Sequence, residues 1–260
     1  MLLQTVPASR GLYWAMQGVR TFWKQPLAMT GLFFLFMALV SLVSIVPFIG
    51  GAIALVLMPA FTAGLMAATQ TAVEGRFPMP ALLWSALRAG PRRVAMLQLG
   101  AIYAAGFLLL MGVSVLLDGG QLARVYLGGE PVRPAVVQAD SFQAALWVSM
   151  LLYVPLSMLF WHAPALVFWQ NVPPLKSLFF SWMGCWRNKG AFLVYSLAWM
   201  GLFAASATGA LLAALVLGDA QMTPSILMPL GLLVAAMFFT SMLFTVKDCF
   251  SALPHPVDPA

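Results

Sequence analysis

From Gln25 to Val73 the chain reads QPLAMTGLFFLFMALVSLVSIVPFIGGAIALVLMPAFTAGLMAATQTAV, with no charged side chain between Lys24 and Glu74. A membrane-spanning helix needs about 20 apolar residues, so the stretch is too long for one crossing and holds two. They divide at Pro47-Phe48-Ile49-Gly50-Gly51, where proline and paired glycines break the apolar run and supply a tight turn. The expected spans are Leu27–Val46 and Gly51–Val73.

Outward from this pair, further uncharged runs cover Val94–Leu117, Phe142–Trp169, Ala191–Leu217 and Pro224–Val246. Each is long enough to cross a hydrocarbon core of about 30 Å at about 1.5 Å per residue. The fold class expected is therefore an all-α membrane protein of six transmembrane helices arranged as three hairpins, one polytopic domain over 1–246 followed by a disordered cytoplasmic tail, 247–260. Composition agrees. Thirteen Lys or Arg and seven Asp or Glu make 8% charge, where a soluble domain carries about 25%. With 62% hydrophobic residues and a mean hydropathy of +0.94, a soluble globule, a disordered chain and a disulfide-stapled secreted domain are excluded.

Basic residues retained on the cytoplasmic side set orientation. Arg10, Arg20 and Lys24 precede the first span; Arg76, Arg88, Arg92 and Arg93 fall between the second and third; Lys176, Arg187 and Lys189 fall between the fourth and fifth; Lys247 follows the sixth. The opposite side holds Arg124 and Arg133 with Asp118, Glu130, Asp140 and Asp219. Both termini are thus expected in the cytoplasm and the 118–140 segment outside, in a bacterial inner membrane. Met1–Pro26 lacks a short apolar region with a small-residue cleavage site, so the first span is expected to act as an uncleaved anchor. The net charge of +6, borne by loops with aromatic flanks, suits anionic lipid headgroups; nucleic acid is not an expected partner.

Before each pair of spans lies a short amphipathic segment. In 9–25, Leu12, Ala15, Met16, Val19, Phe22 and Trp23 recur at helical spacing with Arg10, Gln17, Arg20, Lys24 and Gln25 opposite. In 174–186, Leu175, Leu178, Phe179, Trp182, Met183 and Trp186 form the stripe, and Lys176, Ser177, Ser181 and Arg187 the wet face. The segment 80–89 is shorter. All three are expected to lie in the cytoplasmic interface, anchored by Trp14, Trp23, Trp182, Trp186, Arg20, Lys24, Arg92, Arg93, Arg187 and Lys189. The recurrence at about 9–72, 80–169 and 174–246 reads either as a threefold pseudo-repeat or as convergence of basic amphipathic loops.

Val6-Pro7-Ala8-Ser9, Gly11, Trp14, Gly18, Phe22, Pro26-Leu27 and Pro164-Ala165-Leu166 together resemble an uncharacterised betaproteobacterial family of six-span integral membrane proteins. The resemblance implies the six-span layout and an inner-membrane location. No established activity comes with it, and it transfers no site residue.

Groups able to carry chemistry are few. His162 is the ionisable side chain deepest in a span, and such a group is either functional or hydrogen-bonded to a neighbouring helix. Any polar cavity would draw on His162, Gln98, Gln70 and Ser157, with Gln143 nearby. Pro59, Pro155 and Pro164 interrupt spans, either as simple kinks or as breaks that line a site. Cys185 and Cys249 fall on the reducing side in no metal-binding spacing, and His255 lies in the proline-rich tail. No nucleophile, dinucleotide or phosphate-loop motif occurs. An enzyme, a metal and a cofactor are not expected. Gly201, Ala205, Gly209 and Ala213 make a small-residue ridge for close helix packing, within the bundle or between two copies. The expected role is non-catalytic, organising membrane or recruiting a membrane-protein partner, a second copy or anionic lipid; the alternative is a passive transporter, exporter or lipid-handling protein with a kinked bundle.

Overall fold

A computed structural model of the protein describes residues 2–46, 49–88, 90–131, 133–218 and 222–251. The chain is almost wholly helical: α1 (Arg10–Lys24), α2 (Pro26–Ser44), α3 (Gly50–Val73), a 3-10 helix (Pro80–Leu87), α4 (Pro91–Asp118), α5 (Gln121–Gly128), α6 (Pro134–Val137), α7 (Asp140–Phe160), α8 (Ala163–Gln170), α9 (Pro174–Arg187), α10 (Lys189–Val216) and α11 (Thr223–Cys249). Two-residue strands, β1 (Leu2–Leu3) and β2 (Phe250–Ser251), pair antiparallel. Among the described residues six segments are long and apolar enough to cross a membrane: Pro26–Ser44, Gly50–Val73, Arg92–Asp118, Asp140–Gln170, Lys189–Val216 and Thr223–Cys249. They match the six expected spans.

Several boundaries move. The turn expected at Pro47-Phe48, and Asp219, lie outside the described residues, as does the tail from 252 on with His255. Lys247–Ser251, expected in that tail, continue α11 and then form β2. The fourth span is broken at Trp161-His162, and Pro164 opens the first turn of α8, where a missing N–H costs nothing. The outer segment 118–140 contains two short helices, α5 and α6. Asp118 caps α5: its two carboxylate oxygens accept the backbone N–H groups of Gly120 at 2.8 Å and Leu122 at 2.6 Å.

The chain divides into two compact units. The first comprises Met1–Met37, Phe61–Ala86 and Met183–Ala260. Within it α1 lies against α10 and α11. Gly11 sits against the backbone of Ala191 and Tyr195, Gly18 against Ser241 and Met237, and Gly64 against Leu83, so closely that a Cβ would collide at each. A ladder of ring contacts threads the unit: Trp84 to Phe61 at 5.2 Å, Phe61 to Phe36 at 6.0 Å, Phe36 to Phe239 at 5.8 Å, Phe239 to Phe238 at 5.8 Å, Phe238 to Tyr195 at 6.0 Å and Tyr195 to Trp14 at 6.0 Å. Those separations fall in the range of favourable edge and offset packing.

The second unit comprises Ala38–Ala60 and Leu87–Trp182. Its centre is α4 against α7, with α5 and α8 alongside. Leu110, Met111, Leu122, Phe142 and Ala145 form a buried cluster, Tyr103 packs edge-on to Phe160 at 5.0 Å, and Gly100 allows contact with the backbone of Val56.

Gly18→Leu is expected to destabilise the detergent-solubilised protein by about 1–3 kcal/mol through overpacking, whereas Gly201→Leu, with nothing within 4 Å of the added Cβ, leaves stability unchanged. Thermal unfolding of both variants beside the parent checks the pair; equal melting temperatures would refute the close-approach reading.

Candidate functional site

The segments too short to span show an inverted polarity. On α1 the buried face is Gly11, Trp14, Ala15, Gly18, Thr21 and Phe22, while Leu12 at 49% exposure, Met16 and Trp23 at 61% stay uncovered. The expected apolar stripe is thus split, with Ala15 and Phe22 inward and Leu12, Met16 and Trp23 outward. Trp14, expected as an interfacial anchor, is fully buried. On α9 the serines and the outer aromatics are inverted, while Leu178 turns inward and Lys176 and Arg187 outward as expected. Ser177 and Ser181, expected on the wet face, are buried with Leu178 and Cys185, while Leu175 at 72%, Phe179 at 61% and Trp186 are exposed. In hydrocarbon, large apolar side chains gain nothing by turning inward, and small or hydroxyl-bearing residues make the closer helix contacts.

The inward polar groups form two constellations. In the first unit the Asp248 carboxylate accepts from Arg10 Nε at 2.7 Å, Arg10 Nη2 at 3.0 Å and the Trp14 indole N–H at 2.7 Å. The carboxylate beside it holds the Arg10 guanidinium above its ordinary value. Asn188 ties three segments together: Oδ1 accepts the Val6 N–H at 2.8 Å, and Nδ2 donates to Gln4 O at 3.0 Å, to Gly184 O at 2.9 Å and toward Cys249 Sγ at 3.4 Å. With the β1–β2 pairing and the Gln4 N–H on Cys249 O at 2.9 Å, the two chain ends are clasped together. Arg76 bonds Glu74, which also accepts from Gln70. That pairing holds the Glu74 carboxyl below its ordinary value, so its stabilising contribution is present at neutral pH and is lost as pH falls through the lowered value.

In the second unit Ser181 bridges the break in the fourth span, accepting the His162 backbone N–H at 2.9 Å and donating to Met158 O at 2.8 Å. His162 is fully buried. Asn171 ends α8 in the left-handed conformation at φ 51°, and its Oδ1 accepts Arg92 Nε at 3.0 Å. Pro164, Ala165 and Leu166 are buried.

The four residues expected to share a polar cavity are engaged separately. Gln70 belongs to the first unit and bonds Glu74; Ser157 bonds the Val154 carbonyl of its own helix at 2.7 Å; Gln98 is exposed on α4; and His162 sits at the α7–α8 break. Gln143 reaches Val137 O at 3.2 Å. The ridge of Gly201, Ala205, Gly209 and Ala213 is exposed along α10, whose buried face is instead Ala191, Tyr195, Trp199, Ala210 and Ala214. Among the described residues nothing lies within 4 Å of a Cβ added at Gly201 or Gly209. Cys185 and Cys249 are both buried, and burial pushes the Cys185 thiol up, away from thiolate chemistry. Among the described residues no group of three His, Cys, Asp or Glu is placed to hold a metal. Of the other expected anchors, Trp23, Trp186, Arg20, Lys24, Arg93, Arg187 and Lys189 are exposed, and Trp182 and Arg92 partly so.

Sequence reading missed Asp248, Asn188 and Ser181. Asp248 carried a signal, since it is an acid placed among the cations that flank the last span. Asn188 and Ser181 carried none.

The chain is 38% identical over 256 residues to a probable inner membrane protein of Burkholderia thailandensis, a match that covers 96% of this chain and 94% of the relative. This agrees with the resemblance carried by Gly11, Trp14, Gly18 and Pro164-Ala165-Leu166. No family model matches the chain, and no solved structure matches it.

Ser181→Ala removes the hydroxyl that joins His162 N–H to Met158 O. The expected cost is about 1–3 kcal/mol of stability, with Ser181→Thr close to the parent. A chemical-unfolding titration of both variants measures it, and an unchanged midpoint for Ser181→Ala would show that the bridge is idle.

Proposed function

The chain belongs to the family of that Burkholderia thailandensis inner membrane protein, and from this membership we propose that it is a non-catalytic protein whose interfacial face organises lipid or recruits a protein partner. It is a multi-pass protein of the inner membrane. The observation that carries the finer reading is the outward apolar stripe of α1 and α9. At 15 and 14 residues neither helix reaches the length of about 20 that a span requires. Both nonetheless keep large apolar side chains uncovered, α1 beside exposed Arg20 and Lys24, and α9 beside exposed Lys176 and Arg187. A helix of that kind gains most where apolar surface meets acyl chains and cations meet headgroups, and it offers the same surface to an amphipathic or membrane-bound partner. Clasping the two chain ends through Asn188, Asp248 and the β1–β2 pair holds α1 at a fixed place on α10 and α11.

We assign both termini to the cytoplasm. The excess of Lys and Arg on that side supports this, and so does the even number of spans together with the paired chain ends. Because both native thiols are buried, a single introduced cysteine reports topology cleanly. Glu130→Cys is expected to react with a membrane-impermeant maleimide added outside spheroplasts, and Lys176→Cys only after permeabilisation; the opposite pattern would invert the assignment.

Charging the exposed stripe tests recruitment. In cells expressing the full chain, Leu175→Glu with Phe179→Glu is expected to remove more than about nine-tenths of the partners recovered by crosslinking and affinity purification, while Leu211→Glu on the exposed face of α10 retains them. An unchanged partner set in the α9 variant would overturn the reading.

A further inference from the structure

The outward face of α1 forms one wall of a groove of about 300 Å³ whose other wall is α10. Leu12, Met16 and Val19 line it from one side and Ala198 and Leu202 from the other, with buried Trp199 at the base. All of these are apolar. The one charged residue in the lining is Arg20, which is exposed, and Lys24 follows one helical turn later, also exposed.

Among the described residues of their unit these two cations have no carboxylate partner. Its two described acids are engaged elsewhere, Glu74 with Arg76 at 26% and 57% side-chain exposure, and Asp248 with Arg10 and Trp14. Neither Arg20 nor Lys24 forms a salt bridge among the described residues. An apolar trough thus opens beside two positive charges that meet no carboxylate among the described residues, four residues apart, the spacing that places both on one helix face.

We propose that this groove is a site for an anionic phospholipid, one acyl chain lying between α1 and α10 and the headgroup phosphate bound by Arg20, with Lys24 adding the second charge. A zwitterionic lipid carries no net charge and leaves both positive charges of the pair in place. A phospholipid with one net negative charge halves them, and the planar guanidinium of Arg20 suits bidentate contact with phosphate oxygens. Trp23, exposed on the same helix, suits the level of the headgroups, where indole rings are enriched. The site deepens the interfacial role proposed above and rests on it for the choice of leaflet.

Native mass spectrometry of the full chain in non-ionic detergent, titrated with dioleoyl-phosphatidylglycerol or dioleoyl-phosphatidylcholine, tests the site. One phosphatidylglycerol per chain is expected to survive activation in preference to phosphatidylcholine. Arg20→Gln and Lys24→Gln are each expected to weaken that preference about fivefold. Met16→Trp or Ala198→Phe, which fill the groove, should lose the retained lipid, and Arg93→Gln, an exposed cation of the second unit that is not in the groove's lining, should keep it. Two groove-filling variants on different helices guard against misfolding of either, with the melting temperature measured alongside. Equal retention of the two lipids by the parent, an unchanged preference in the Arg20→Gln and Lys24→Gln double variant, or lipid retained by a folded groove-filling variant would each overturn the proposal. Detergent-purified protein has no leaflet and no partner, so failure here refutes the groove, whereas an unchanged partner set on charging α9 refutes recruitment.

Discussion

Close approach of helix backbones at small residues is the constraint on which the rest of the structure depends. In a hydrocarbon medium lipid tails satisfy a leucine as well as another helix does, so association rests on dispersion at short range and on hydrogen bonds between helices. Gly11 and Gly18 supply the short range for α1, Gly64 for α3 against the 3-10 helix, and Gly100 for α4. Once α1 lies that near α10 and α11, the Trp14 indole reaches Asp248, while α10 and α11 are joined to each other by the Tyr195 hydroxyl on Ser241. The polar clasp and the aromatic ladder follow from the glycines, since a side chain at 11 or 18 would hold α1 away from Asp248.

The same constraint decides how much of the fold is legible in the sequence. Span positions are written in the gaps between charges, because an ion in hydrocarbon is costly and its absence is easy to see. Short amphipathic helices are legible too, as periodic segments at 9–25 and 174–186 that become α1 and α9. The direction of their faces is not. Periodicity reports that two faces differ; which one turns inward depends on the medium around the helix. Ser177 and Ser181 read as a wet face by the logic of water and lie buried by the logic of lipid.

Small-residue spacing carries a similar ambiguity. Gly11-Gly18 and Gly201-Ala205-Gly209-Ala213 both read as surfaces for close packing, yet the first is filled by α10 and α11 and the second meets nothing among the described residues at either glycine. The difference lies in the partner, which a one-dimensional pattern does not contain. The polar groups of the site divide along the same line. His162 stands out in sequence as an ion among apolar residues, but its surroundings depend on Ser181, a residue with no distinguishing neighbourhood in the chain. Asn188 acquires meaning only where Gln4, Val6, Gly184 and Cys249 converge on it.

Charge is used asymmetrically, and this connects the interior to the face it presents. Four of the described carboxylates are committed to the protein itself: Asp118 caps α5, Glu74 holds Arg76, Glu130 lies 3.9 Å from Arg124, and Asp248 receives Arg10 and Trp14. With seven acids against thirteen Lys and Arg, the three acids that meet an arginine each occupy one cation, and the net excess of six positive charges falls on the residues left over. Cations on flexible stems extend toward water and headgroups at little cost, whereas a short carboxylate at the same depth is stabilised best by the N–H groups at a helix start or by a guanidinium. With these acids engaged, exposed Arg20 and Lys24 stand without a carboxylate partner among the described residues. The positive face that Arg20 and Lys24 present beside the apolar groove follows from how the helices are held together.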